Sequence, residues 1–254
     1  ALFTLAGIVD IRDLPQFAPS LQAIVGQSAA TGTAVYLRGM GTGGDNPGFE
    51  PAVGVVIDGV FRARSGAALN DLPELSRVEI LRGPQGTLFG RNTSAGVVSI
   101  ETAGPGTRFG GYVDAEAGNH GAWAIQGAVF GPVTPWMALR LDAGIRRRDG
   151  EIGDANSTDR INDRDRSFVR GQAVIDIGTA RLRLIADHGR IDESCCGAVA
   201  VTRGDAASVL DALAGAAGLT GVWSGPAEGR TTAVTPGRGY GEHVRDWGVS
   251  AQLD

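Results

Sequence analysis

The sequence is short of several residue types, and each shortage argues against a class of protein. It has no lysine, so all 23 basic residues are arginine, and 28 acidic residues bring the net charge to −5. Because no basic excess is available to neutralise phosphates, this balance argues against a nucleic-acid-binding protein. No apolar run reaches the roughly 18 residues that a membrane-spanning helix needs.

Cysteine and histidine are also scarce. The two cysteines, Cys195 and Cys196, are adjacent, which fits neither a C-x-x-C redox pair nor a four-ligand zinc site. Three interpretations remain open: a vicinal disulfide formed in an oxidising compartment, free thiols, or loop packing. The histidines, His120, His188 and His243, are far apart in sequence, so we expect no metal site and no cofactor.

Enzyme motifs are missing or incomplete. Gly39-x-Gly41-x-x-Gly44 matches a dinucleotide fingerprint by letter, but the following Asp45-Asn46-Pro47-Gly48 cannot open the helix that would hold a phosphate. No Walker loop, H-E-x-x-H or G-x-S-x-G sequence occurs. The sequence therefore predicts a protein that is not an enzyme.

Residues 1–106 carry short apolar runs separated by turn residues, a pattern that predicts an α+β domain. The clearest element is a hairpin in which Val53–Ile57 turns at Asp58-Gly59, since Asp-Gly between apolar runs favours a tight turn. We also expect a short helix or turn near Asp10–Leu21 and a short helix over Leu69–Leu75. Further strands are predicted at Val35–Arg38, Val78–Leu81 and Val97–Thr102.

Residues 107–254 change to an alternation with a period of two. In Met137–Arg146, apolar residues occupy one face, whereas Arg140, Asp142 and Arg146 occupy the other. The same alternation recurs at Trp123–Val129, Val169–Asp176, Leu182–Asp187 and Trp247–Leu253. Segments of about ten residues with charged inner faces and aromatics near their ends are typical of transmembrane strands. We therefore predict roughly six antiparallel strands of an incomplete transmembrane β-barrel.

The connections support this interpretation because short and long ones alternate. Gly131–Pro135 and Ile177–Thr179 are short, whereas 147–166 and 189–244 are long, as in outer-membrane barrels. In the last connection, Asp205 is predicted to cap a helix that runs to about Ala217. The alternative is a soluble or surface β-rich binding module without a transport role, whose apolar faces would meet in a shared core.

Four segments in the right order carry a family resemblance. Val78–Ile100 resembles the signature of the plug domain of TonB-dependent outer-membrane receptors, and Tyr36–Gly41, Pro51–Val60 and Leu72–Ile80 resemble three further plug elements. The resemblance implies a plug in residues 1–106 and the first barrel strands in residues 107–254. Since the chain begins without an export signal or TonB box and stops inside an alternating pattern, we expect a fragment that cannot insert alone as a working transporter.

The resemblance also implies roles for single residues. Arg38 and Arg82 correspond to arginines that bridge the plug to barrel carboxylates, and their partners are expected beyond Asp254. The alternative role is to satisfy carbonyl groups inside the plug. Ligand contact is implied for the apex loops, at Gln27, Thr42, Asp45, Asn46, Arg62 and Arg64.

The implied partners and location follow from the same family. The partners are TonB, through a segment missing here, outer-membrane lipid, and a scarce small molecule such as a ferric siderophore. A cobalamin, a carbohydrate or an aromatic compound fits the sequence equally well. No nucleic acid is expected, and the location is the outer membrane.

Overall fold

The computed structural model describes residues 8, 11–25, 33–43, 48–63, 71–223, 225, 229–235, 237 and 240–254. Two regions follow one another along the chain. The first is an α+β region, which we call the plug, and the second is a broad antiparallel sheet, which we call the wall. They are joined by the stretch 103–109, and the predicted boundary at residue 106 stays a prediction.

The plug contains two small sheets. Its strands are β1 (Leu21–Val25), β2 (Thr33–Leu37), β3 (Met40–Gly41), β4 (Val53–Ile57), β5 (Val60–Arg62), β6 (Leu75–Arg82) and β7 (Gly96–Thr102). One sheet has the order β1-β2-β3 and the other the order β5-β4-β7-β6, in which β4 and β7 are parallel. A 3₁₀ turn at Ile11–Gln16 and a one-turn helix α1 at Gly86–Phe89 complete the plug.

An apolar core joins the two sheets of the plug. Ile11, Leu37 and Ile100 are completely buried and belong to one cluster. The sheets lie close together at Gly96, which has a φ of +152° and where a Cβ atom would lie 2.3 Å from Leu37 Cδ2. Only glycine fits this position, because a side chain there would separate the sheets.

Most of the predicted plug elements are present, with one exception. The hairpin turn has φ values of 49° at Asp58 and 78° at Gly59, as an Asp-Gly turn requires. The helix predicted over Leu69–Leu75 is wrong for its described part, because residues 71–74 are irregular and Leu75 begins β6. Leu69 lies outside the described residues. The short apolar run there leads into a strand, whose pairing with β7 outweighs local helix propensity.

The wall contains six long antiparallel strands in the order β16-β14-β13-β10-β9-β8. They are β8 (Gly110–Ala117), β9 (Trp123–Thr134), β10 (Met137–Arg148), β13 (Arg164–Ile177), β14 (Ala180–Ser194) and β16 (Gly241–Leu253). Within the described residues the sheet does not close on itself. This arrangement confirms the predicted fold class of a plug followed by strands of an incomplete barrel.

The wall has its polar side inward and its apolar side outward. In β10, Leu139 and Leu141 are 40% and 49% exposed, whereas Arg140 and Asp142 are buried against the plug. Strands β13 and β16 repeat this alternation, with Val169 and Val249 outward. The apolar faces therefore do not form a shared dry core, which is the reverse of what the soluble alternative requires.

The long connections fold into small structures at one end of the wall. They contain β11 (Ile152–Asp154), β12 (Arg160–Ile161), β15 (Thr231–Thr232) and helix α2 (Ala207–Ala216). The Asn156 amide joins three segments, since its Nδ2 donates to the carbonyls of Thr220 (3.0 Å) and Val234 (2.9 Å) and its Oδ1 accepts from Thr220 N (2.7 Å).

Two further observations concern this region. The predicted cap of α2 is wrong: the helix is present, but its N-cap is Ala206 and no side chain bonds there, because Asp205 lies one residue too early.

Cys195 and Cys196 form a vicinal disulfide, and Cys195 packs against the plug core. Among the described residues, no helix combines the length and the apolar character needed to cross a membrane.

Candidate functional site

The contact between plug and wall is centred on Asp58, in the β4–β5 turn. Its backbone N–H donates to Ile100 O at 2.9 Å, which fixes the turn to β7. Its carboxylate accepts two bonds from Thr102, one from the backbone N at 3.0 Å and one from Oγ1 at 2.9 Å. Contacts within the plug therefore orient this carboxylate without any contact from the wall.

Two arginines of the wall complete the Asp58 site. Arg183 Nη2 donates to Asp58 Oδ1 at 2.9 Å, and Arg170 Nη2 donates to Asp58 Oδ2. The Asp58 side chain is 1% exposed and that of Arg170 is 5% exposed. A carboxylate buried to this degree is stable only when charged donors surround it, so removing either side leaves an uncompensated charge.

Gln172 extends the contact along β13. Its Nε2 donates to Thr102 Oγ1 at 3.1 Å and to Ala103 O at 3.0 Å, while its Oε1 accepts from Arg183 Nη2 at 2.9 Å. Gln172 thus holds the plug segment where β7 ends, and Arg183 links Gln172 to Asp58.

Arg62 provides a contact of the opposite polarity, from a plug cation to wall anions. Its guanidinium lies 3.3 Å from Asp187 Oδ1 and 3.8 Å from Asp246 Oδ2. Asp187 also lies 3.5 Å from Arg170 Nη1, so Arg62 belongs to the same charged network as Asp58.

A second contact involves Glu74 of the plug and Arg140 of β10. Arg140 Nη2 lies 3.0 Å from Glu74 Oε2 and 2.7 Å from Asp142 Oδ1. The guanidinium, whose side chain is 2% exposed, also lies 4.9 Å from the centroid of the Phe130 ring. The bidentate pair with Asp142 preorients Arg140 toward the plug.

The third contact joins Asp71 of the plug to Arg146 of the wall. Arg146 Nε lies 3.0 Å from Asp71 Oδ2, and Arg146 Nη1 lies 3.0 Å from Glu116 Oε2. Asp71 Oδ1 is buried and has no hydrogen-bond partner among the described residues. Burial raises the pKa of the Asp71 carboxyl above its ordinary value, although Arg146 acts in the opposite direction.

The two arginines predicted to bridge plug and barrel both make a hydrogen bond to Ser20. Arg38 is exposed with a φ of 55°, and its backbone N donates to Ser20 O at 2.7 Å. Arg82 is exposed, and its Nε donates to Ser20 Oγ at 3.1 Å. The barrel partners predicted for both lie beyond Asp254, so their bridging role stays a prediction.

The predicted ligand residues are only partly described. Thr42 follows β3 and is half-buried, and the guanidinium of Arg62 points to the wall rather than to an open apex. Gln27, Asp45, Asn46 and Arg64 lie outside the described residues. Ligand contact at all six positions stays a prediction.

The sequence analysis missed the carboxylates and arginines that form the observed contact. They are the carboxylates Asp58, Asp71 and Glu74 and the arginines Arg140, Arg146, Arg170 and Arg183, and the amide of Gln172 was missed as well. One signal was available: the inward faces of β10, β13 and β14 carry arginines, and buried guanidinium groups require counter-ions. Within the described ranges, no three His, Cys, Asp or Glu side chains converge to hold a metal ion.

The arrangement can hold one body against another without covalent bonds. Ion pairs in a dry interface are strong, but they weaken steeply once water raises the local dielectric constant. Such a contact is suited to holding the plug reversibly against the wall, because its ion pairs and hydrogen bonds form and break without any covalent step.

Comparison with known proteins agrees with this fold. Residues 3–97 match the model of the TonB-dependent receptor plug domain. The pesticin receptor of Yersinia pestis is 28% identical over 182 residues, which cover 72% of this chain and 25% of that receptor. The chain thus spans about a quarter of the length of this curated relative.

Solved structures resemble the fold of both regions together. The ferric yersiniabactin uptake receptor FyuA from Yersinia pestis has a TM-score of 0.75 at 19% identity and covers 99% of this chain and 36% of its own. The closed form of the ferric-catecholate import receptor Fiu from E. coli K12 has a TM-score of 0.62 at 22% identity and covers 78% of this chain and 26% of its own.

The fold and the charged contact hold a small α+β plug against the polar face of an open sheet of six strands. Residues 3–97 of the chain match the plug domain of TonB-dependent receptors, and the six wall strands that follow have the same fold as the solved receptors named above. Proteins of this class are receptors rather than enzymes, as the sequence predicted.

Proposed function

We propose that the receptor containing this chain imports a ferric siderophore and that TonB drives the import by pulling on the plug. The names of similar proteins support this class of solute, since they include receptors for ferric yersiniabactin, ferric catecholates and pyoverdine. The plug domain supports TonB as the partner. Binding of the solute from outside and displacement of the plug are the two steps that the geometry has to serve.

The observation that carries the proposal is the site of Asp58, where two wall guanidinium groups bind one buried plug carboxylate. While the interface is dry, these bonds hold the plug in the bore. A pull that admits water solvates both partners, so the same bonds lose most of their strength and the plug moves. The contact is thus stable while the interface is dry and breaks reversibly when TonB pulls on the plug.

Arg62 connects this contact to the side from which ligand arrives. Strand β5 ends at Arg62 and leads into the apex loop predicted to contact ligand. Because Arg62 pairs with Asp187, and Asp187 with Arg170, ligand bound to that loop acts on the network around Asp58. This path gives bound solute a means of weakening the plug contact.

An uptake assay tests the proposal. The intact receptor gene is expressed in an outer-membrane receptor-deficient strain, and radioactive iron is supplied as a panel of purified ferric siderophores. We expect accumulation of iron from at least one chelate, and loss of that accumulation in a matched strain without TonB. No accumulation from any chelate, combined with TonB-dependent uptake of cobalamin or an oligosaccharide, would contradict the proposed solute class.

A further inference from the structure

The vicinal disulfide lies where the wall meets both the plug and the outside of the cell. Cys195 and Cys196 directly follow β14 and begin the long connection to β16. Long connections mark the extracellular end of outer-membrane strands. Cys195 packs against the apolar core of the plug, whereas the plug–wall contacts described above are polar. Both cysteines are half-buried, so small reagents in the medium can reach them.

Hydrogen bonds fix the chain on both sides of the disulfide. The Asn162 side chain accepts from Gly197 N at 2.9 Å and donates to Gly197 O at 3.0 Å. The backbone N of Asn162 donates to Ser194 O at 2.6 Å, and Cys195 N donates to Tyr240 O at 2.9 Å. The two cysteines therefore join chain segments that are already held in place.

Two properties of the cysteine pair make its redox state matter. Consecutive Cα atoms lie about 3.8 Å apart, whereas an ordinary disulfide spans roughly 4.4–6.8 Å, so a bond between neighbours is reduced more easily than most structural disulfides. Cys196 also has a φ of 76°, in the left-handed region that is unfavourable for a residue with a side chain.

We propose that Cys195–Cys196 is a redox site that takes low-molecular-weight thiols from the medium, and that its reduction releases the start of the long connection from the plug. One external thiolate attacks a cysteine sulfur, breaks the S–S bond and forms a mixed disulfide. A second thiolate attacks the external sulfur of that mixed disulfide and leaves with it as an oxidised dimer. The protein disulfide gains two electrons, the two thiols lose two, and their protons end on Cys195 and Cys196.

Reduction changes the local structure because the closed ring holds the backbone of Cys196. Once the ring is open, Cys196 returns to an ordinary backbone region, and the adjoining bonds of Gly197 to Asn162 are no longer aligned. Cys195 then withdraws from the apolar core of the plug. The oxidised receptor therefore holds its plug more firmly than the reduced one.

This site depends on the outer-membrane location and not on the proposed solute. Reduction of the purified receptor is measured without siderophore or TonB, so its failure and the failure of the uptake proposal are distinguishable.

Thiol trapping tests the redox site. The purified full-length receptor is incubated with an excess of reduced glutathione, and free thiols are then alkylated with iodoacetamide without unfolding the protein. Mass spectrometry of the peptide that contains Cys195 and Cys196 counts the alkyl groups. We expect none before glutathione treatment and two after it. Alkylation of both cysteines before treatment, or of neither after it, would overturn the site.

Hydrogen exchange of the same samples tests the link to the plug. Since release of a left-handed non-glycine residue corresponds to a factor of at least about five, we expect the Gly197 amide to exchange at least about fivefold faster after reduction. The β7 amides of the plug should also exchange faster, and oxidised glutathione should restore the slow rates. Unchanged exchange of the β7 amides in the reduced receptor would overturn the link.

The Asp176 amide and a double variant serve as controls. Asp176 N donates to Trp136 O at 2.8 Å at the short-turn end of the wall, so its exchange should not respond to glutathione. Cys195→Ser/Cys196→Ser cannot close the ring and should exchange the Gly197 amide as fast as reduced wild type, with or without glutathione. Exchange as slow as in oxidised wild type would show that the disulfide does not hold this segment.

Discussion

The plug and the wall are both built from β-strands, but they bury opposite kinds of side chain. In the plug, all five residues of β4 are buried, and Val53, Val55 and Ile57 belong to the shared apolar core. In the wall, β10 buries Arg140 and Asp142 and exposes Leu139 and Leu141. Hydropathy alone therefore does not show which face of a strand is buried. The buried face is the one whose side chains contact the rest of the protein, and in the wall that face is charged.

The surface where the plug meets the wall has to match the charged inner face of the wall. The wall presents charges inward, so the plug surface that meets it must supply charges of opposite sign. Asp58 and Glu74 do so from one side and Arg170 and Arg140 from the other. The plug is therefore apolar inside and ionic at its contact with the wall.

Asp58→Asn is expected to have the largest effect. Asparagine tolerates the left-handed backbone at this position, so the variant removes the charge and keeps the turn. It leaves Arg170 and Arg183 without their carboxylate, and loss of one partner of a buried pair destabilises by about 3–5 kcal/mol. The free energy of plug opening is measured from hydrogen exchange of the β7 amides in the full-length receptor.

Glu79→Gln is the control for that variant. Glu79 is a plug carboxylate that pairs with Arg77 at the surface, where its side chain is 38% exposed. Exposed pairs contribute about 0–1 kcal/mol, so exchange of the same amides should hardly change. Equal effects of both variants would show that the Asp58 contact does not hold the plug.

Leu141→Arg tests the outward face of the wall and should have the next largest effect. Leu141 is 49% exposed, which in water would make the change almost neutral. In lipid, an arginine on the outer face costs about 2–4 kcal/mol near the membrane centre. Urea unfolding of the receptor in lipid vesicles measures this difference.

Leu213→Arg provides the matched comparison, because Leu213 of α2 is 67% exposed but lies in a long connection outside the band. We expect a change within about 0.5 kcal/mol. Similar effects at both positions would contradict the orientation of the wall.

Asp71 should give the smallest effect, visible as a pH dependence. Its pKa is raised above 3.8 by burial, so the folded receptor binds a proton more tightly than the unfolded chain. Stability that depends on this proton is present below pH 3.8 and is lost as the pH rises through the folded pKa. Relative to Asp71→Asn, wild type should therefore lose stability as the pH rises from 4 toward neutrality, measured by thermal unfolding; an opposite slope would contradict the direction of the shift.

Local pattern was sufficient for much of the fold. The Asp58-Gly59 turn and the faces of β10 follow from turn chemistry and from a period of two, both of which act over a few residues. The helix expected over Leu69–Leu75 is wrong for residues 71–75, because Leu75 pairs with Thr102 at the start of β6, and such pairing is a long-range effect.

The contact between plug and wall could not be predicted in the same way. Asp58 and Arg183 are 125 residues apart, and no local pattern encodes their distance. In the sequence, Asp58 has the features of an ordinary turn residue. Only the tertiary fold brings it to the wall arginines with which it pairs. The resemblance directed attention to Arg38 and Arg82, whose predicted partners lie outside this chain.

The position of the Asp58 partners has a consequence for assembly. Arg170 and Arg183 come from neighbouring strands, and Gln172 lies beside them. A polypeptide made from its amino terminus therefore contains all the wall residues that bind Asp58 once β14 has been synthesised. The Asp58 contact therefore depends on no strand that follows β14.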